Sequence, residues 1–205
     1  MTTEPPPSKS RRDSILDEAT RLFAERGYEG ASMADLADSV GLRKASLFHH
    51  FPSKDLLYAA VLERLLMQFG ELIALSTSKE GTYAERLEHL TDAILATVSE
   101  DPYTARLVIR EMMDWGPFAQ QRFNEIARPV LEAANAFFEA GKRDGAFVDQ
   151  DTKHLLLTLI GMHFLPFSLH HVVKEFTGDD AFSPEWVRTR REVLHAEIRA
   201  LVLVR

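Results

Sequence analysis

Apolar residues recur at intervals of three and four along almost the whole chain, and no stretch keeps the strict alternation that is typical of a β-strand. This spacing predicts an all-α fold. Three pairs of a cap residue and an acidic residue three positions later mark helix starts. The pairs are Ser10 with Asp13, Ser32 with Asp35, and Thr82 with Glu85. Together with the glycine and proline breaks, these signals predict about nine helices.

The first part of the chain is predicted to form three helices and the start of a fourth. Helix one is predicted over Ser10–Arg26, where Gly27 closes it in the left-handed conformation. A short second helix stops at Gly41, and a third follows over about Arg43–His49. Ser53 then caps a long amphipathic fourth helix.

Prolines, glycines and acidic caps divide the remainder. After the third capping pair, helix starts are predicted at Asp101, at Asp149 or Asp151, and at Ser183. Breaks between helices are predicted at Gly116, Pro129 and Pro166. Each proline inside a helical pattern is expected to kink or split the helix, because it removes one hydrogen bond and clashes with the preceding turn.

Composition narrows the class of protein. The chain has 205 residues, 45% hydrophobic and 27% charged, which is enough to bury a core and excludes a disordered chain. The absence of cysteine excludes disulfide frameworks, thiolate zinc sites and cysteine nucleophiles. Met1–Pro7 lacks the pattern of a secretory signal, and the longest apolar run, Leu155–Phe167, is too short to cross a bilayer. We expect a soluble cytoplasmic protein.

Charge is distributed unevenly. The net charge is −7, but residues 1–55 carry eight basic against nine acidic residues, so most of the acidity lies in the rest of the chain. Ser39–Lys54 contains Arg43, Lys44, Lys54 and two histidines with no acidic residue. A site for phosphate is therefore expected in this stretch. Taken alone, such a stretch on a short helix is more often a solvated face than a DNA site.

The second and third predicted helices form a helix-turn-helix. Gly41 suits a sharp corner that needs a positive φ, and the small Ala37 allows two backbones to approach closely. The second helix of this motif enters the major groove, with its early residues facing base edges. In this chain the early residues are Arg43, Lys44, Ala45 and Ser46. Arg43 and Lys44 carry donors for guanine or phosphate, Ala45 a methyl for thymine, and Ser46 a hydroxyl.

A wider pattern surrounds this motif. It comprises Ile15-Leu16-Asp17-Glu18-Ala19, Leu22-Phe23, Gly27-Tyr28, Ser32, Leu36-Ala37, Gly41-Leu42, Ala45-Ser46-Leu47-Phe48, His50-Phe51 and Lys54-Asp55-Leu56. This pattern strongly resembles the DNA-binding domain of the TetR family of transcriptional regulators. The resemblance covers Ser10 to Leu57. Beyond that, only the all-helical layout matches.

The resemblance implies a homodimer that offers two such domains to a palindromic operator, with a larger C-terminal domain that holds a small-molecule pocket and the dimer interface. Carried over by position, the implied DNA-binding residues are Ser32, Ala34, Arg43, Lys44, Ala45, Ser46, His49, His50 and Lys54. His50 is equally expected as a packed histidine at the helix end. Lys9, Arg11 and Arg12 form either an arm for phosphate or a solubilising tail.

Phe48 departs from the family pattern, which usually has a tyrosine whose hydroxyl reaches phosphate. The resemblance therefore implies that this contact is lost and that Phe48 serves in packing. The domain organisation that we predict is a disordered arm over 1–9, the helix-turn-helix domain over 10–55, and the ligand-binding and dimerisation domain over 56–205.

The C-terminal part carries no catalytic motif, so we expect no enzyme and no cofactor. Four histidines, His154, His163, His170 and His171, lack a carboxylate at a compelling spacing, so no metal site is predicted. Aromatic residues and methionines favour a largely apolar effector pocket, the alternative being ordinary core. The predicted ligand-binding residues are Tyr103, Arg106, Arg110, Met113, Trp115, Phe118, Phe137, His163 and Phe167.

Arg106 and Arg110 lie four residues apart on one helix face and would need an anion inside an apolar bundle. We expect one of them to orient the polar end of the effector, the alternative being a surface pair with Glu111 or Asp114.

The last two predicted helices carry more apolar residues than one subunit is expected to bury, which predicts a four-helix dimer interface. The interface residues are expected to be Leu155, Leu156, Leu159, Ile160 and Phe164 on one helix and Val187, Val193, Leu194, Ile198 and Leu201 on the other.

The function predicted from these features is a ligand-responsive transcriptional repressor, because a dimer over a promoter obstructs polymerase. The alternatives are an all-helical ligand carrier or enzyme with no DNA role, and an architectural DNA binder with no effector.

Overall fold

The computed structural model of the chain describes residues 10–114, 120–121 and 123–204. The chain divides into two compact units, Met1–Glu63 and Arg64–Arg205. The first unit contains α1 (Arg11–Gly30), α2 (Met33–Ser39), α3 (Lys44–His50) and the first part of α4 (Lys54–Ser78). The second contains the rest of α4 and then α5 (Tyr83–Glu100), α6 (Pro102–Met113), a π-helical turn (Phe123–Ala127), α7 (Arg128–Arg143), α8 (Thr152–Ser168), α9 (His170–Thr177) and α10 (Pro184–Val202).

The predicted all-α fold is confirmed. Within the described ranges, extended pairing is limited to a single bridge between Phe147 and Leu203. The described chain holds ten α-helices where about nine were predicted, and the additional one is α9. The predicted break at Pro166 falls two residues before the observed end of α8 at Ser168, and α9 follows as a separate helix.

The predicted helix caps form as the local sequence indicates. The side chains of Ser10, Ser32 and Thr82 each accept a hydrogen bond from the backbone amide three residues later. Of the two candidates for the start of α8, Asp151 is the cap, since its carboxylate accepts from the amide of Lys153 at 2.8 Å. These bonds satisfy amides that have no partner inside their own helix.

Gly27 adopts the predicted left-handed φ, at 73°, and interrupts α1. The predicted helix end at Arg26 coincides with this kink, and a further short helical stretch follows Gly27 as far as Gly30. Pro129 splits the predicted helix as expected: the π-helical turn ends at Ala127, and α7 begins at Arg128 with the proline in its first turn. Proline is tolerated there because the first-turn amides lack intrahelical partners.

Each unit has its own hydrophobic core. In the first, residues of α1, α2, α3 and the start of α4 are buried together, among them Ile15, Phe23, Leu36, Leu47 and Leu57. In the second, one continuous cluster joins side chains from α4 to α10. Helix α10 is also tied to α5 by polar contacts: Asp92 Oδ1 lies 2.9 Å from His195 Nε2 and 3.2 Å from Arg191 Nε.

Half of the residues assigned to a dimer interface instead fill this second core. The inward-facing residues are Leu155, Leu159, Phe164, Leu194 and Ile198, all nine-tenths or more buried. The prediction for these five is wrong because α8 and α10 turn these side chains toward the interior of their own subunit. Val193 and Leu201 are exposed, whereas Leu156, Ile160 and Val187 are half-buried.

Among the described residues, no single helix is both long and apolar enough to cross a membrane. The bent pair α8 and α9, with 78° between the two helices, reaches that length and composition only when its members are taken together.

Candidate nucleic-acid interface

The turn between α2 and α3 has the geometry of a helix-turn-helix corner. Gly41 has a φ of 64°, which favours glycine, and the amide of Leu42 donates to the carbonyl of Ala37 at 2.8 Å. Ala37 is 2% exposed, so its small side chain lies in the packed contact. The corner therefore fixes the direction in which α3 leaves α2.

Helix α3 is held by one side chain and exposes the others. Leu47 is completely buried in the core of the first unit. Arg43, Lys44, Ala45 and Ser46, at the beginning of the helix, are all exposed. The four residues expected to read the major groove are therefore accessible on one surface.

The two cations on this surface, Arg43 and Lys44, have no acidic partner among the described residues. Within the described parts of the chain, neither Arg43 nor Lys44 forms an ion pair. The Lys44 ammonium lies 5.9 Å from the centre of the Phe48 ring, one turn further along the helix. Phe48 is 38% exposed, so it belongs to the surface of α3 rather than to the core. Both positive charges are thus available to an anionic partner.

Lys54 is engaged by the protein itself. Its ammonium donates to the carbonyls of Tyr28 at 2.8 Å and Ala31 at 3.2 Å, and lies 4.2 Å from the centre of the Tyr28 ring. The Tyr28 hydroxyl donates to Asp55. Burial is the larger cause and the hydrogen-bonded Asp55 carboxylate the next, and together they raise the pKa of Tyr28 to about 12. Lys54 therefore joins the start of α4 to the end of α1, and its phosphate contact stays a prediction.

The other predicted DNA-binding residues lie on α2 and α3 or at the start of α2. Ser32, Ala34, His49 and His50 are exposed, and the Ser32 hydroxyl is the α2 cap. His50 is not packed in the core, which was the alternative for this residue.

Two basic residues of the predicted arm are attached to the first unit. Arg11 Nη2 donates to the carbonyl of Val40 at 3.3 Å, and the Arg12 guanidinium lies 5.0 Å from the centre of the Phe51 ring. Lys9 and the rest of the predicted arm over 1–9 lie outside the described residues.

The predicted effector residues occupy different environments in the second unit. Phe137, His163 and Phe167 are buried, and Tyr103, Arg106 and Arg110 are half-buried. Met113 is 77% exposed, so the structure does not bring it together with the buried members. Trp115 and Phe118 lie outside the described residues.

The buried aromatic residues among them belong to two separate ring clusters. The Phe137 ring contacts those of Tyr83, Phe138 and Phe147. The Phe167 ring contacts those of Phe182 and Trp186. A shallow open cleft of about 430 Å³ on the second unit shares Phe182 with the second of these clusters. It is lined by Ser99, Phe182, Pro184, Val187, Arg188 and Arg191. None of the predicted effector residues lines this cleft.

Comparison with known proteins agrees with both units. Residues 15–61 match the family described as bacterial regulatory proteins, tetR family, and residues 84–197 match the tetracyclin repressor-like C-terminal domain. The HTH-type transcriptional repressor KstR2 of Rhodococcus jostii (strain RHA1) is 31% identical over 157 residues, which cover 70% of this chain and 74% of that protein. The chain belongs to the TetR family.

Two further relatives support this identification of a TetR-family protein. The HTH-type transcriptional repressor AcnR of Corynebacterium diphtheriae is 32% identical over 123 residues, and the match spans 60% of this chain and 60% of that protein. The solved structure of the ketosteroid transcriptional regulator KstR2 of Mycobacterium tuberculosis superposes with a TM-score of 0.76 over 96% of this chain and 97% of that chain. At 18% identity it shows the shared fold.

The TetR assignment makes the chain a DNA-binding transcriptional regulator, and these relatives confirm the prediction that it is not an enzyme. Among the described residues, no group of three histidine, aspartate or glutamate side chains is arranged to hold a metal ion.

One half-buried charged residue of this TetR protein was not predicted from the sequence pattern. Arg190, on α10, keeps only 18% of its side chain exposed. It lies four and eight residues before the buried Leu194 and Ile198, on the same helix face. A cation within an apolar stripe was the signal that could have identified it.

Proposed function

We propose that this TetR-family chain represses transcription by binding a palindromic operator as a homodimer through α3, and that a small, largely apolar effector releases it. The observation that carries the proposal is the exposed beginning of α3, where Arg43 and Lys44 stand without acidic partners in the described chain. In the proposed complex, Arg43–Ser46 contact base edges. The residues that lie toward the sugar-phosphate backbone of the DNA are Ser32, Ala34, His49, His50 and Lys54.

A homodimer suits this role because two α3 helices about 34–36 Å apart enter successive major grooves of one DNA face. Support for self-association comes from exposed apolar side chains that follow one another along α8, α9 and α10. They are Leu157, Leu165, Leu169, Val172, Phe176, Val193 and Leu201. Exposed apolar surface of this extent is unfavourable in water and is typical of an interface.

Effector control requires that the ligand prefers one conformation of the protein. A molecule bound in the second unit lowers operator affinity only as far as it favours a state in which the two α3 helices no longer fit the grooves together. The half-buried Arg106 and Arg110 remain the proposed cations for the polar end of such a ligand, since neither is fully in solvent. A cytoplasmic location follows from the proposed role.

The test is operator binding by substituted proteins. The operator is first located by gel shift with DNA fragments surrounding the chain's own gene. Arg43→Ala and Lys44→Ala are each expected to weaken binding about 10-fold or more, since a good contact to a base or phosphate contributes about 1–3 kcal/mol.

The two kinds of contact are separable by salt and sequence. Loss of a phosphate contact reduces the slope of log affinity against log salt by about one, and loss of a base contact relaxes sequence preference. Lys79→Ala, which removes an exposed cation from the second unit, serves as the charge-matched control and is expected to bind normally. Wild-type affinity in both α3 variants would overturn the proposed interface.

A further inference from the structure

Two side chains in the interior of the second unit keep polar atoms without hydrogen-bond partners anywhere in the described ranges: Nε2 of His163 and Nε of Arg190. His163 lies on α8 and is 4% exposed. Its Nδ1 is 2.8 Å from the carbonyl of Leu159, which can only accept, so Nδ1 carries the proton. Nε2 is consequently a buried hydrogen-bond acceptor.

Arg190 reaches α8 at the residue before His163. Its Nη2 donates to the carbonyl of Met162 at 2.8 Å. That carbonyl lies four residues before Pro166, which has no amide proton to offer it, so Arg190 supplies the donor that the helix lacks. This bond places the guanidinium beside His163 and leaves the Nε proton as a second unpaired group.

The ionisation of the two side chains fits this arrangement. Burial, together with the charge of Arg190, lowers the pKa of His163 to about 4. Burial also lowers the pKa of Arg190, while the Glu197 carboxylate, 4.0 Å from Arg190 Nη1, acts in the opposite direction and favours the charged guanidinium. At neutral pH the interior therefore presents one acceptor, on a neutral imidazole, and one charged donor.

The two unpaired atoms together select a type of chemical group. A hydroxyl can donate to His163 Nε2 and accept from Arg190 Nε at once. A carboxylate has no proton to donate. It could pair with Arg190, but its oxygen would then be repelled by the lone pair of His163 Nε2. A hydrocarbon satisfies neither atom. The two helices that carry His163 and Arg190 also carry buried apolar side chains of the same core cluster, among them Phe167 and Leu194.

We propose that His163 and Arg190 bind a hydroxyl group on the otherwise apolar frame of the effector, and that this site selects a neutral hydroxyl over the corresponding carboxylate. This inference rests on the effector-binding role proposed above. The site is additional to the contact proposed for Arg106 and Arg110, whose charges suit a different, acidic or polar end of the ligand.

The experiment compares three probes that share a methylphenyl group: p-cresol, which carries a hydroxyl, p-toluate, which carries a carboxylate, and toluene, which carries neither. Their dissociation constants are measured at pH 7.5 by following the ring signals of labelled histidine. For the wild-type protein we expect p-cresol to bind at least tenfold more tightly than toluene or p-toluate. The His163 signal should be the histidine signal that shifts most, with its proton kept on Nδ1.

Substitutions assign this preference to the two residues. His163→Phe and Arg190→Met should each reduce the preference for p-cresol over toluene to about twofold, and His163→Gln, which keeps an acceptor, should recover part of it. His154→Phe is the matched control, because His154 is an exposed histidine of the same helix. It should keep the full preference. Thermal unfolding of each variant verifies that it is folded.

Three results would overturn the inference: equal binding of p-cresol and toluene by the wild type, binding of p-toluate as tight as that of p-cresol, or a preference that survives in His163→Phe. The first is the result expected if a buried water bridges the pair permanently.

Operator binding by the wild type is measured in parallel. If it is present and the probe preference is absent, only this inference fails, whereas a wild type that binds no promoter DNA contradicts the proposed function itself.

Discussion

At the scale of single residues, His163 makes the stability of the protein depend on pH. Its pKa is about 4 in the folded chain and about 6.5 when unfolded, so the unfolded chain binds more protons between these values. The stabilisation is present above pH 6.5 and is lost as the pH falls toward 4. At pH 5 the loss amounts to about 2 kcal/mol, because each pH unit below 6.5 contributes about 1.4 kcal/mol.

We expect urea unfolding at pH 7.5 and pH 5.0 to reveal this loss in the wild type and a loss about 2 kcal/mol smaller in His163→Phe. His154→Phe, on an exposed position of the same helix, should behave like the wild type. An identical loss in His163→Phe and the wild type would mean that His163 is not held neutral by burial.

The exposure of Arg43–Ser46, the residues proposed to contact DNA, could be predicted from sequence, whereas the proximity of His163 and Arg190 could be predicted only in part. Arg43–Ser46 follow a glycine corner, and their exposure depends on a local pattern in which Leu47 alone faces inward. His163 was selected from its aromatic neighbourhood, but its partner Arg190 is 27 residues away in the chain. Only tertiary packing shows that the two meet, through the carbonyl of Met162.

At the scale of helices, α8 depends on α10 for one of its own hydrogen bonds. Pro166 leaves the Met162 carbonyl without an intrahelical donor, and Arg190 replaces it. Arg190→Met should therefore lower the free energy of unfolding by about 2 kcal/mol, since a buried carbonyl loses a charged donor. In a Pro166→Ala background, where residue 166 can donate again, the same substitution should cost about 1 kcal/mol less.

This coupling is measured with a double-mutant cycle in urea. Arg188→Met is the matched control, because Arg188 lies on the same helix and its side chain is 66% exposed. Additive effects of the Arg190 and Pro166 substitutions would show that the arginine does not replace the missing donor.

Helix starts were predicted well because caps act within four residues of sequence. Helix ends in the second unit were predicted less well. The proline at position 166 was expected to interrupt the helix, yet α8 continues to Ser168 because a residue from another helix compensates for the lost bond. Because α8 ends at Ser168, the residues that follow form a separate helix, α9, which begins at His170. Propensity alone contains no information about such a distant donor.

At the scale of the whole molecule, the exposed apolar residues of α8 and α9 are expected to join two copies. Leu165→Glu with Phe176→Glu places charges on side chains that are 47% and 89% exposed. Burying either charge in an interface is unfavourable, so the double variant should sediment as a monomer at micromolar concentration. Its operator affinity should fall at least tenfold, because the two half-sites are no longer bound by one linked molecule.

The control carries the same change on another exposed apolar pair, Met67 and Leu75 of α4, which are 53% and 69% exposed. Met67→Glu with Leu75→Glu should remain dimeric. A wild type that sediments as a monomer would contradict self-association, and a dimeric α8–α9 variant would place the interface elsewhere. Composition predicted that α8 and α10 carry excess apolar surface, but which residues face outward depended on how each helix rotates against its own core.

The contacts of Tyr28 constrain how motion can reach the DNA-reading surface. Lys54 and Asp55, the first two residues of α4, are both bonded to Tyr28 near the end of α1. Both contacts lie within the first unit and involve the first turn of α4. We therefore expect that turn to move together with α1 as one piece, and substitutions at Tyr28 to disturb the start of α4 first.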